Sequence, residues 1–392
     1  MFQNDFLNPE IQDFITKNLN SDVKKLALKK NLFSNVDYSK LLEQILSKQK
    51  AKTKLPTWFS AENIIYPSKI SIEQTSSEKT AQYKASLFSG EHFIDLTGGF
   101  GIDDFYFSKT FKNVVHCEIN SELSNIVKHN FEVLNINNIN CVNGNSTDIL
   151  NETKSNFDLI YLDPSRRNEA KGKVFMLQDC EPNLPELLPF YLKFSNRILV
   201  KTAPILDIHA GLSELKFVKN IYIVALENEV KEILWEIEKD FKNEINITAV
   251  NIEKDDVFET KILLNDDSKS SYSLPNNYLF EPNAALMKSG KFDSIGSIFN
   301  VKKLHQHSHL YTSNDLVNFQ GRKFKINTSF TFDKENSKKY LLKQKMNVAT
   351  RNFPLKPDDI KKKFKIIDGG TIFAFFTTNI ENQKIVLLCE KI

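Results

Sequence analysis

Six short apolar runs, HFIDL, NVVHCEI, INCV, FDLIYLD, RILVK and IYIVAL, follow one another between residues 92 and 226, with longer stretches between them. Runs this short and this apolar suit strands buried on both faces. ELSNIVKHNFEVL and the leucine-rich stretch around NLPELLPFYLKF carry helical spacing and fall between those strands. Strands that alternate with helices need crossover connections, which make a sheet parallel and cover both its faces. The pattern therefore predicts an α/β fold and argues against an all-α or all-β one. After Val224, ENEVKEILWEIEK and ITAVNIE read as terminal strands, some of them antiparallel.

At 392 residues the chain is longer than one core usually supports, so more than one domain is expected. Residues 1–70 read as a helical region. FLNPEIQDFITKNL and DYSKLLEQILSKQKAK space their apolar residues at three and four, with Asp or Asn near their starts. The proline-marked TKLPTWFSAENIIYPSKIS reads as a polar connection. SSEKTAQYKASLF then opens on serine with Glu78 in its first turn and reads as another helix. The sheet domain is assigned to residues 71–270, with NDDSKSSYSLPNN as its exit linker. Two small modules follow, at 278–316 and 319–392, the second ending in the strand-like TIFAFFTT and KIVLLCEK.

Charge is divided unevenly. Residues 319–392 hold 16 Lys/Arg against 7 Asp/Glu, a surplus of +9, while the whole chain carries only +3 and the remainder is therefore near −6. A basic C-terminal module suits a polyanionic partner such as RNA, although a solvated lysine-rich face has the same composition. No stretch approaches the ~20 apolar residues of a membrane helix, and MFQNDFLNPE lacks the layout of a secretory signal. Four scattered cysteines, Cys117, Cys141, Cys180 and Cys389, show no CxxC spacing. Neither a metal site nor a disulfide framework is expected, and the cytoplasm is the expected location. Oligomeric state has no signature.

The first sheet strand delivers DLTGGFGID, running from Asp95 to Asp103. Glycines after a first strand let backbone approach a ligand closely. A dinucleotide fold requires GxGxxG, yet here Gly99-Phe100-Gly101 is followed by Ile102, Asp103 and Asp104, so the third glycine is missing. Asp95, just ahead of Thr97, Gly98, Gly99 and Gly101, would repel phosphate and would suit a cationic amino group. That chemistry favours S-adenosylmethionine (SAM). Glu118 ends the second strand and can accept from both ribose hydroxyls, in either cofactor class. The third strand ends in NGNSTDIL, where Asn145 or Asp148 would meet adenine. Asn145 with Ser146 lies nearer the strand end and is preferred.

The fourth strand ends in LDPSRR. From about residue 70 to 205 the chain resembles the class I SAM-dependent methyltransferases. The resemblance implies a Rossmann-like sheet and, at this strand end, a substrate-facing motif. Enzymes that methylate exocyclic amines often carry [D/N]-P-P-[F/Y/W] there, with the acid or amide accepting from the target amine and the aromatic stacking on the base. Here Asp163 and Pro164 are kept, Ser165 replaces the second proline, and Arg166 stands where the aromatic would be. Arg166 or Arg167 would then have to hold the base or a phosphate. The rival reading pairs both arginines with acids on the sheet rim.

A narrower resemblance spans nearly the whole chain. SSEKTAQYKA, DLTGGFGID, LDPSRR, VKTAPILDI, EPNAALMKSG, HLYTS and RNFPL stand in the order seen in a bacterial methyltransferase family with a C-terminal THUMP-like domain. Its members are commonly labelled as similar to RNA cap guanine-N2 methyltransferases. The resemblance implies a ferredoxin-like module, a THUMP-like tail and, by analogy, RNA as substrate. It also implies that Glu78, Thr80 and Lys84 border the cofactor pocket. RNFPLKPDDIKKKFK offers Arg351 and a lysine run to RNA. Cys180 has no activating neighbour in sequence, which argues against covalent attack on a pyrimidine. His305, His307 and His309 alternate in KLHQHSHL and would share one face of a strand. Two other functions stay open: methylation of a small molecule or protein, and a SAM-binding factor without catalysis.

Overall fold

The computed structural model describes residues 4–153, 155–166 and 176–392. The chain divides into two compact units. One comprises residues up to Asn220 with Glu232–Asn243, the other Ile221–Lys231 with Glu244–Ile392.

The first unit opens on helices, as its periodicity predicts. Pro9–Lys17 starts at Asn8, whose side chain accepts from Glu10 N, and Tyr38–Lys54 starts at Asp37, which accepts from Ser39 and Lys40. Ile11, Ile15, Leu41 and Ile45 form their common core. The stretch read as a polar connection is instead packed. It holds a helix, Pro56–Ser60, with Trp58 fully buried, and then Ile64, Ile65 and Tyr66, all buried. Its prolines and polar residues hide an apolar minority that the fold draws inward.

Strand Gly90–Asp95 lies between Phe111–Glu118 and Leu159–Leu162, parallel to both. Ile139–Asn143 extends the sheet beside Phe111–Glu118, and Arg197–Thr202 extends it beside Leu159–Leu162. Strand Glu229–Glu238 runs antiparallel to Arg197–Thr202, with Thr202 opposite Ile233 and Lys201 opposite Leu234. Phe93, Ile94, Leu159, Ile160, Ile198, Leu199 and Val200 are all fully buried, which is why these segments read as unbroken apolar runs. Each such aliphatic side chain contributes roughly 1.5–3 kcal/mol on leaving water. Parallel pairing also brings the carboxyl ends of the strands to one edge, where Asp95, Glu118, Asn143 and Thr202 end their strands and Asp163 follows its own.

In the second unit, Asn246–Glu253 and Asp256–Leu263 form an antiparallel hairpin. A further sheet runs in the order Lys302–Lys303, Tyr311–Ser313, Tyr278–Pro282, Gly321–Thr331, Lys384–Lys391, Ile372–Thr378, Asn347–Thr350. Tyr278–Pro282 pairs directly with Gly321–Thr331, so residues on both sides of position 319 share one sheet. Leu279, Phe324, Phe375 and Leu387 form one of its cores, and Phe330, Leu341, Ile360 and Phe376 form another. The linker-like stretch is irregular but fastened, since Ser273 N donates to Lys303 O and Lys303 N to Ser271 O. Among the described residues no helix is long and apolar enough to cross a membrane.

Candidate active site

The glycine-rich turn closes tightly on its neighbours. A Cβ at Gly98 would come within 2.2 Å of the His116 ring, and Gly101 sits at φ 75° with Phe131 pressed against its open side. Any larger residue at either position would open the turn. Asp95 is buried, and one of its oxygens accepts from both Thr97 N at 2.7 Å and Thr97 Oγ1 at 3.0 Å. Burial, and then the neighbouring Asp104, push the Asp95 carboxyl well above the usual carboxylate range. Beneath the turn, Asp104 Oδ2 lies 2.7 Å from His116 Nδ1, both side chains wholly buried. Burial raises the Asp104 carboxyl and lowers the His116 imidazole, so each is biased towards its neutral form within this contact.

Glu118 is half-buried at the end of its strand. It accepts from Gly99 N at 3.0 Å and from Asn120 N at 2.7 Å, which fixes the carboxylate against the glycine turn. Asn145 caps the short helix Ser146–Glu152 by accepting from Thr147 N. It is exposed, as is Asp148, while Ser146 is half-buried.

Asp163 follows Leu159–Leu162 directly. Its backbone N donates to Thr97 Oγ1 at 2.7 Å, which joins the fourth-strand motif to the glycine turn. Its carboxylate meets Lys201 Nζ at 2.5 Å, and its side chain is 38% exposed. Pro164 behind it is buried. Lys201 is the visible end of a buried polar cluster. Ser76 Oγ accepts from Lys201 at 3.2 Å and from Lys84 at 2.9 Å, and donates to Asp103 at 2.9 Å. Lys84 also binds both oxygens of Glu232, at 2.7 and 2.8 Å, and Tyr161 OH donates to Asp103 at 2.8 Å. Burial alone would raise the Asp103 carboxyl, but Lys84 and Lys201 together pull it below its usual range.

The comparisons bear on this arrangement. Residues 64–179 match the family described as conserved hypothetical protein 95, residues 278–319 a ferredoxin-like domain, and residues 321–391 a THUMP domain-like family. A protein from Porphyromonas gingivalis W83, named as a candidate methyltransferase, is 28% identical with a TM-score of 0.88. That alignment covers 100% of this chain and 99% of the other. The chain shares its fold with that candidate methyltransferase along its whole length, and its enzyme class is SAM-dependent methyltransferase. Two smaller structures align with part of it. A candidate methyltransferase from Streptococcus mutans in complex with SAH is 16% identical over 41% of this chain and 96% of its own, with a TM-score of 0.31. An rRNA methylase from Streptococcus thermophilus is 13% identical over 42% and 96%, with a TM-score of 0.30. Likeness of that size fixes neither substrate nor site. No curated protein matches the chain.

The methyltransferase's own residues fit its cofactor. SAM carries an ammonium group, a sulfonium centre and a ribose diol. Burial raises the Asp95 carboxyl, and a cation placed beside it would favour its ionised form. Glu118, half-exposed one strand over, is an acceptor pair of the kind a diol needs. The turn itself offers no lysine or arginine to a pyrophosphate.

Glu78 and Lys84, which the resemblance places beside the cofactor pocket, are buried within the fold. Glu78 is buried against Thr57 N, Thr57 Oγ1 and Tyr106 OH, and Lys84 has no exposed surface. Thr80, also buried, bonds within its own helix start to Ser77. Arg351 gives its guanidinium to Glu281, which also holds Arg322, and it remains 39% exposed. Arg166 sits in the two-residue strand Ser165–Arg166, paired with Cys180–Glu181, and Arg167 lies outside the described residues. Cys180 is buried, with its thiol 3.6 Å from Met176 O, so it offers no exposed nucleophile. The alternating histidines form a turn and not a strand. Ser308 closes that turn onto His305, and His309 stacks on Phe292 with ring centres 3.6 Å apart. Burial, and then Lys303 and His307, lower His309 to about 4. Among the described residues no three ligating side chains group as a metal site would need.

Sequence reasoning missed Lys201, Glu232, Ser76 and the Asp104–His116 pair. A signal existed for Lys201: it is the one charged residue ending the apolar run ILV, at the same edge as Asp163.

Proposed function

We propose that this methyltransferase acts on RNA at an exocyclic base amine, with guanine N2 the favoured atom. The observation that carries the reading is Asp163. It is a half-exposed carboxylate at the carboxyl end of a central strand, with its backbone fixed by Thr97 and its side chain by Lys201. A carboxylate held this way accepts an amine N–H and turns the nitrogen lone pair in one direction, and such positioning supplies much of the acceleration for a transfer of this kind. Asp95, Thr97, Gly98, Gly99 and Gly101 would hold the amino-acid part of SAM, Glu118 its ribose, and Asn145 with Ser146 its adenine. When bound, that cofactor supplies an electrophilic methyl group whose departure leaves a neutral thioether. As the nitrogen forms its new bond to carbon, Asp163 takes the released proton, directly or through water. Pro164 stiffens the turn behind it, and Arg166 and Arg167 hold the base or its phosphate.

The RNA assignment rests on the second unit. Its THUMP-like stretch carries the whole +9 surplus of residues 319–392, and Lys334, Lys338, Lys339, Lys343, Lys345, Lys362 and Lys363 are exposed on it. Arg351 adds the face that Glu281 leaves open. Tritium transfer from methyl-labelled SAM into total RNA from cells lacking this gene, followed by nucleoside analysis, tests the reading. Label in N2-methylguanosine is expected. Asp163→Ala should lower transfer by about 100-fold or more with SAM binding intact. RNA affinity should fall steeply with salt. Intact SAM binding with no label in RNA would shift the substrate to a small molecule or protein. A fully active Asp163→Ala variant would remove the mechanism.

A further inference from the structure

Lys201 is a lysine where the fold has every reason to place an apolar residue. It follows Ile198, Leu199 and Val200, all fully buried, and its own side chain is 9% exposed. Burial of that depth favours the neutral amine, but Asp163, Asp103 and Glu232 together outweigh it and push Lys201 above its ordinary range. Set between Asp163 and Asp103, it is favoured as an ammonium. Its position is fixed from behind by Ser76 Oγ at 3.2 Å and by Asp103 at 3.9 Å. Those two are in turn held by Lys84 and Tyr161.

We propose that Lys201 is the positioning residue for Asp163, a role that rests on the reading of Asp163 as the amine acceptor. LDPSRR lacks the second proline and the aromatic that make the amine-methylating motif rigid. Here the restraint comes from underneath. Thr97 holds the Asp163 backbone, Lys201 holds one carboxylate oxygen at 2.5 Å, and only the exposed part of the carboxylate is left to the substrate. A carboxylate free to rotate would accept the amine in several directions. One clamped by an ammonium accepts it in one, at little cost in ordering when the substrate arrives.

The test is steady-state methyl transfer into total RNA from cells lacking the gene, with SAM binding by calorimetry, for the parent, Asp163→Ala, Lys201→Met and Lys201→Arg. Lys201→Met should lower kcat about 100-fold while the RNA KM and the SAM Kd stay within about threefold, and Lys201→Arg should recover about a tenth of the parent rate. Should Lys201→Met fail to fold because Asp103 and Glu232 are left with Lys84 alone, Lys201→Met combined with Asp103→Asn restores the charge count and carries the same comparison. A folded Lys201→Met protein with near-parent kcat, beside an inactive Asp163→Ala protein, overturns the role of Lys201 and leaves that of Asp163 standing. Loss of SAM binding in parallel with rate, or no recovery in Lys201→Arg, makes Lys201 a structural group and also overturns it. An active Asp163→Ala protein, or a parent that labels no RNA, removes the functional reading and this role with it.

Discussion

The two units bury ion clusters of opposite imbalance. In the first, Lys84 and Lys201 face three carboxylates, Asp103, Glu232 and Asp163. In the second, the single carboxylate of Glu281 takes both Arg322 and Arg351. By formal count one cluster carries −1 and the other +1, and in each the surplus residue is the exposed one. Asp163 is 38% exposed, Arg322 36% and Arg351 39%, while the groups behind them are nearly sealed. Buried ion pairs add little net stability once desolvation is counted. What they do set is which charge is held rigidly at a surface. A fixed carboxylate suits an amine, and fixed guanidinium groups suit phosphate.

Lys84→Met breaks the comparison hardest, because it leaves Asp103 and Glu232 buried with only Lys201 nearby. Denaturant unfolding should show a loss of about 3–5 kcal/mol, as for other buried pairs stripped of one partner. A loss under about 1 kcal/mol would mean that the cluster is not what holds these elements together.

Arg351→Ala should do less, since Arg322 still pairs with Glu281 and the site is partly solvated. About 1–2 kcal/mol is expected, and the slope of RNA affinity against salt should fall by about one. An unchanged slope would restrict Arg351 to its clasp on Glu281.

Asp104→Asn sharpens the contrast from the other direction. Burial, and then Asp103, raise the Asp104 carboxyl, so its folded form prefers the proton. Its contribution to stability is full below its unfolded value of about 4 and is lost as pH rises through the raised folded value. The asparagine change keeps a neutral acceptor for His116 without that loss. Thermal scans should therefore show a gain of a few degrees at pH 8 that vanishes near pH 4. The same gain at both pH values would place the effect in packing instead.

What the sequence makes legible is whatever depends on neighbours in the chain. The strand edge, the glycine turn, Glu118 and Asp163 all stand at junctions where an apolar run stops, and the structure brings those junctions to one edge. The cluster behind Asp163 depends on partners far apart: Lys84 meets Glu232 across 148 positions and Lys201 meets Ser76 across 125. Neither the lysine in SSEKTAQYKA nor the one ending RILVK carries a local sign of its distant partners. The histidines mislead in the opposite way. Alternation in KLHQHSHL satisfies the two-residue period of a strand, yet the chain turns there because Ser308 closes onto His305. Trp58 was hidden by its polar surroundings, since one large ring can anchor a segment whose average character is hydrophilic.

The Thr97 hydroxyl has one proton, and it gives that proton to Asp95 while receiving the backbone N–H of Asp163. The glycine turn and the loop after the fourth strand thus share a single oxygen. Any coupling between ligands held by those two loops would be equal in both directions.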